Sequence, residues 1–202
     1  MIYNTMEDAQ KIKELRMETG ASILDCRNTL VMVKGDMEKA KKILAEKRKS
    51  KIEKKSGRET GEGAIASYIH SNKKIGVLVE ISCETDFVAK NESFLQLAHD
   101  IAMHIAASNP LCVDTPESHP EIAKMIEDER KKAMEEFSGK KPKEMIENIV
   151  AGKIKKFADN ITLVKQAYIK DPKKTIGDLV GEAIVKLGEN VKIKRFCKFQ
   201  ID

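Results

Sequence analysis

Apolar positions along the 202-residue chain recur first at helical and then at strand spacing, and the change of period separates its parts. Ile12 and Leu15 mark a first helix, which Thr19-Gly20 stops, glycine being the usual residue past a helix end. Ser22, with Asp25 at the capping-box position, opens a second helix carrying Ile23, Cys26, Leu30 and Val33 until Gly35 breaks it. Asp36 opens a third, with Met37, Ala40, Ile43 and Leu44 on its apolar line. Three short helices within residues 8–50 predict a small bundle, read as a compact docking module. Glycines 57, 61 and 63 then loosen the chain, and a boundary near residue 55 divides a domain 1–55 from a domain 56–202.

From Gly63 the period changes. Ala64 to His70 alternates imperfectly, Ser71-Asn72-Lys73-Lys74 reads as a turn, and Ile75 to Ile81 is a β-branched run that predicts a buried strand, making a hairpin. Phe94, Ala98, Ile101 and Ile105 restore helical spacing over about 93–107, up to the prolines at 110 and 116. Ile122, Met125, Ile126, Ala133, Met134 and Phe137 mark a charged helix stopped by Ser138-Gly139. Met145, Ile146, Ile149, Val150, Ile154 and Phe157 mark the next, so that about 117–157 reads as a projecting helical hairpin with a basic turn. Ile161–Val164 and Tyr168-Ile169 read as extended, and Thr175 caps a helix that ends at Gly188. Val191, Ile193, Cys197, Phe199 and Ile201 alternate with Lys192, Lys194 and Lys198, which predicts a half-buried strand with Cys197 on its buried side. The expected class is α+β: an N-terminal three-helix module, then a small antiparallel sheet covered by helices.

Glu84-Thr85-Asp86-Phe87-Val88-Ala89-Lys90-Asn91 falls where strand spacing gives way to helical spacing. Thr85 or Asp86 can cap the turn that follows. In an arbitrary sequence an aromatic at such a place is most often a core plug, and the pattern alone reads Phe87 that way.

Composition narrows the function classes. With 34% charged and 41% hydrophobic residues the chain is a folded protein with a charged surface, and it has no apolar run of 18 residues to span a membrane. Its start resembles neither a secretory nor a transit signal, so a cytoplasmic protein is expected. Cys26, Cys83, Cys112 and Cys197 are widely spaced, against a zinc site or a disulfide framework. Nine basic residues between Lys41 and Arg58 face only Glu46 and Glu53, but no aromatics interleave with them. A solvated helix tail therefore outweighs nucleic-acid binding, which stays as the rival reading. No phosphate-cradling glycine loop, activated nucleophile or acid–base pair is present, so neither cofactor nor bond chemistry is expected. His99 and His104 are about 140° apart on a helix and cannot share a metal ion. By spacing alone His104 is a structural residue bordering an apolar stripe.

Several stretches together resemble the elongation factor Ts family. They are Glu14-Leu15-Arg16, Thr19-Gly20-Ala21, Leu24-Asp25-Cys26 and Gly35-Asp36; then Cys83 to Lys90; Ile101-Ala102-Met103-His104-Ile105-Ala106-Ala107; and Gly139-Lys140-Lys141-Pro142 with the last strand. The corner and the histidine helix, in that order, are the specific part. The resemblance implies a guanine-nucleotide exchange factor for elongation factor Tu, with a ubiquitin-associated-like docking module to which Arg16, Ile23 and Leu24 contribute. It implies that Asp86 and Phe87, flanked by Thr85 and Val88, wedge into the partner beside its nucleotide-bound Mg²⁺, and that His104 touches the same region. Long members carry two copies of the core unit. This chain matches one, so a homodimer facing two partner molecules is the implied assembly, with the 191–201 strand in its interface.

Overall fold

The computed structural model describes residues 6–137 and 142–201, in which the chain packs as two units. The predicted stop at Ser138-Gly139 and the basic turn lie outside the described residues.

The first unit runs to Arg58 and takes in Ile184–Asn190. It contains helices α1 (Met6–Thr19), α2 (Ile23–Met32) and α3 (Met37–Ser56). Gly20 and Gly35 have φ of +66° and +83°, a left-handed backbone that glycine adopts without a Cβ penalty, and each turns the chain between two helices. Ser22 caps α2 by accepting from the Asp25 N–H, and Asp36 caps α3 by accepting from the Lys39 N–H. Leu15, Cys26, Leu30, Ala40 and Leu44 form the core, with Ile12, Ala21, Val33 and Met37 against it. The third helix is 20 residues long rather than short. Its lysines and glutamates are good helix formers and nothing breaks the run before Gly57, so the basic stretch is helical to Ser56. Its far end is held by Asn190, which is buried and donates to the Ser56 and Arg58 carbonyls at 3.2 and 2.7 Å.

The second unit holds Glu59–Ala183 and the strand from Val191 onward. Its elements are β1 (Glu62–Ile69), β2 (Ile75–Cys83), α4 (Asp86–Ala89), α5 (Glu92–Ser108), α6 (Pro120–Phe137), α7 (Lys143–Ile161), β3 (Ala167–Tyr168), β4 (Asp171–Thr175), α8 (Ile176–Leu187), whose last turn belongs to the first unit, and β5 (Lys192–Gln200). The main sheet is antiparallel in the order β1-β2-β5, while β3 and β4 form a separate ribbon. Val77, Val79 and Ile81 of β2 pack under α5, whose Phe94, Ala98, Ile101, Ala102 and Ile105 are fully buried. A Cβ on Gly63 would meet the Ile81 carbonyl oxygen, so only glycine fits this crossing of β1 and β2. Helices α6 and α7 share a smaller cluster of Ala133, Ile146, Val150 and Ile154.

The last strand departs from simple alternation. Glu80 pairs with Arg195 but Ile81 pairs with Ile193, so Lys194 is an extra residue and β5 bulges. A bulge exchanges the two faces of the strand. Beyond it Phe196 and Lys198, opposite Val79 and Val77, turn toward the helix side, and Lys198 Nζ donates to the Ala106 carbonyl at 3.0 Å. Cys197 and Phe199 go to the other face, beside Leu78 and Gly76. The expectation that Cys197 and Phe199 belong to the buried side is thereby corrected: both are exposed, Phe199 at 71%. Ile65, Ile69, Leu78, Phe199 and Ile201 leave an apolar sheet face uncovered.

Candidate functional site

The corner between β2 and α5 is built by two successive caps. Thr85 is extended (φ −128°, ψ 157°), and its Oγ1 accepts from the Val88 N–H at 3.4 Å, which starts the four-residue α4. The Ala89 and Lys90 N–H groups reach the carbonyls of Thr85 and Asp86, both at 3.1 Å. Asn91 then caps α5 through the Ser93 N–H at 2.8 Å. Below the turn the Cys83 thiol donates to the Thr85 carbonyl at 3.2 Å, and Ala89 is buried. These bonds leave the corner little freedom, and the ring it carries points outward: Phe87 is 83% exposed. The core-plug reading of Phe87 does not hold.

Asp86 stands beside that ring and pairs with Lys90 one turn on, at 2.8 Å. The hydrogen bond from Lys90 holds its carboxyl below the ordinary carboxylate range, so Asp86 is ionised at neutral pH. Thr85 and Val88 are half-buried and fix the turn. The corner thus offers one large apolar surface and one ionised carboxylate on a stiff frame. This equips it to insert into a cleft of another molecule.

His104 is placed differently. It lies 12 residues along α5 from Glu92, about 18 Å at ~1.5 Å per residue, and its side chain has 0% exposure. Its Nε2 lies 3.0 Å from Gln166 Oε1, and its ring centroid is 6.2 Å from that of Tyr168. Burial pushes the imidazole pKa down, against the smaller raising effect of Gln166, so the ring is neutral at pH 7. The structure does not bring His104 up to Phe87, nor to the surface.

In the first unit Arg16, Ile23 and Leu24 are all exposed around the Gly20 turn. Ile23, which spacing placed on the apolar line, is 57% exposed, because as the first residue of α2 it points away from the core that Cys26 and Leu30 enter. Leu24 is 65% exposed, and Met17 joins them. Met17 escaped the sequence reading, though an apolar residue off the Ile12–Leu15 stripe was its signal. Gln166 left no such signal, since its partner is 62 positions away.

Comparison with known proteins agrees on one group. The profile of the family described as "Elongation factor TS" matches residues 1–202. The chain is 51% identical over 197 residues to a protein named elongation factor Ts from Nitratidesulfovibrio vulgaris, covering 96% of each. It is 47% identical over 193 residues to the one from Thermodesulfovibrio yellowstonii, covering 96% of this chain and 95% of the relative. Against that of Thermosipho melanesiensis identity is 45% over 197 residues, covering 97% and 99%.

Proposed function

The chain belongs to the elongation factor Ts family, whose members promote nucleotide exchange on elongation factor Tu without bond chemistry of their own, and we propose that it does so through the Phe87 corner. The reading rests on the exposed aromatic held on a doubly capped turn. In it, Asp86 and Phe87 enter elongation factor Tu beside the Mg²⁺ that bridges phosphates and protein loops, and the nucleotide loses its strongest electrostatic tie. Exchange of this kind is a coupling free energy: the factor binds the nucleotide-free shape more tightly and therefore weakens the nucleotide by the same factor.

Magnitudes assign work to more than one surface. A ten-thousandfold weakening needs about 5.5 kcal/mol of differential binding. Burying one phenylalanine supplies about 1.5–3 kcal/mol. Arg16, Ile23 and Leu24, with Met17 beside them, supply a second contact in this reading, as a ubiquitin-associated-like docking module within residues 1–55. His104, buried 12 residues along α5, acts in this reading through the placement of that helix, and the α6–α7 pair projects as a helical hairpin from the 56–202 core.

The same reading gives the open sheet face a second copy of the chain. Ile65, Ile69, Leu78, Phe199 and Ile201 are exposed apolar side chains on one sheet face, and Cys197 lies among them. A homodimer working in the cytoplasm with two partner molecules follows. The nucleic-acid alternative is weaker still in the folded chain, because Lys41 and Lys51 of the basic run are paired with Glu18 and Asp25.

Substituting Phe87→p-benzoylphenylalanine tests the insertion. Irradiation with GDP-bound elongation factor Tu is expected to give a cross-link mapping beside the Mg²⁺ site. A cross-link elsewhere, or none while complex forms, contradicts the reading.

A further inference from the structure

Gln166 follows a 3₁₀ turn at Leu163–Lys165 and is buried, yet every polar group it owns is engaged. Its side-chain Nε2 donates to the Asn160 carbonyl at 2.5 Å and to the Ser108 carbonyl at 3.4 Å. Its main-chain N–H is shared between the Thr162 and Leu163 carbonyls, each at 3.2 Å, and its own carbonyl accepts from the Ile176 N–H at 3.0 Å. One residue thus joins the last residues of α5 and α7 to the first of α8.

These contacts settle which way round the amide lies. Turned over, Oε1 would face two carbonyl oxygens that can only accept, and the NH₂ would point at the imidazole and leave both carbonyls without its N–H donors. Oε1 therefore faces His104 Nε2 as an acceptor, and that nitrogen must carry a proton. In the neutral ring Nδ1 then holds a lone pair, and among the described residues this buried atom has no partner.

We propose that Gln166 is a positioning residue for exchange: it holds His104 as the neutral Nε2–H tautomer and keeps the C-terminal half of α5 in register with α7. The link to exchange rests on the function proposed above, while the tautomer assignment does not. The charged and titratable groups around the ring are consistent with a neutral imidazole. Asp100, one turn earlier on α5, is satisfied by Lys170 at 2.8 Å. Tyr168 approaches from β3, and Lys198, from β5, spends its ammonium on the Ala106 carbonyl. Among the described residues none of these offers His104 a carboxylate by hydrogen bond.

Imidazole ¹⁵N–¹H correlation spectra of the intact wild-type protein test the assignment with no mutation. One tautomer is expected between pH 6.5 and 8, with a protonated-type Nε2 and a lone-pair-type Nδ1. A protonated Nδ1, or an averaged pair, overturns the proposal. Exchange is then measured as labelled GDP release from elongation factor Tu for wild type, Gln166→Met and Gln166→Glu, with circular dichroism establishing that each is folded. Gln166→Met is expected to slow release at least fivefold at every pH. Gln166→Glu sets a carboxylate against Nε2–H, so its imidazole takes a second proton near neutrality, and its rate relative to wild type is expected to fall as pH drops from 8.5 to 6.5. Wild-type rates in both folded variants, or a flat ratio for Gln166→Glu, overturn the exchange role. If Phe87→Ala still slows release in that case, the wedge survives and only the Gln166 inference is lost.

Discussion

Replacing Phe87 by alanine separates a ring kept for a partner from a ring kept for the fold, because the two roles predict opposite pairs of results. Truncating a phenylalanine in a packed core costs about 3–5 kcal/mol of stability. A surface change away from special features usually stays within about 0.5 kcal/mol. With 83% of Phe87 exposed, the free chain has little burial to lose, and the variant should melt within about 2 °C of wild type. In the complex the same truncation removes about 1.5–3 kcal/mol of apolar burial. If that burial is realised only in the nucleotide-free shape, GDP release slows by about 10- to 160-fold at subsaturating factor. Stopped-flow release of fluorescent GDP from elongation factor Tu, read beside a thermal melt, gives both quantities. A melt lowered by 6 °C or more, or release within about twofold of wild type, refutes the reasoning.

The other surfaces carry predictions of their own. Leu24→Asp puts a charge where an exposed leucine stands, so stability should hold within about 0.5 kcal/mol while calorimetric affinity for elongation factor Tu falls at least tenfold; unchanged affinity would remove this helix from the contact. Thr85→Ala deletes the cap of α4 and should cost about 0.5–2 kcal/mol, with faster hydrogen exchange at the Val88 amide; Thr85→Ser should restore protection. His104 has a folded-state pKa below its ordinary value near 6.5, so the unfolded chain binds more protons as pH falls. Its contribution to stability is therefore full above about pH 6.5 and declines below it, and denaturant midpoints of His104→Gln should show a weaker acid-side decline than wild type. An equal decline in both would remove His104 as its source.

Much of this arrangement was legible in the chain because local spacing and caps determine it. The β-branched run before Glu84 and the three- and four-residue spacing after Ser93 place the corner correctly, and Ser22, Asp36 and Thr85 act as the caps their residue types suggest. Non-local features were hidden. The extra residue Lys194 reverses the faces of β5, and no alternation rule contains a bulge that arises from pairing with β2. Exposure of Phe87 follows from what α5 and the sheet leave uncovered, so an isolated aromatic at a helix start could not reveal it. His104 sits on the edge of an apolar stripe, where spacing permits either burial or exposure. A glutamine 62 positions away, itself held by Asn160 and Ser108, keeps it in the interior. The length of α3 is hidden for a different reason: dense lysine looks like linker by charge but is helical by propensity.

The central claim, that this chain frees elongation factor Tu of its GDP, meets its most direct test in one release experiment. Elongation factor Tu loaded with labelled GDP is chased with unlabelled nucleotide, with and without substoichiometric amounts of the wild-type protein. The account predicts that each molecule empties several partners, so the release rate rises in proportion to the amount added. A rate that stays at the spontaneous value across that titration contradicts it.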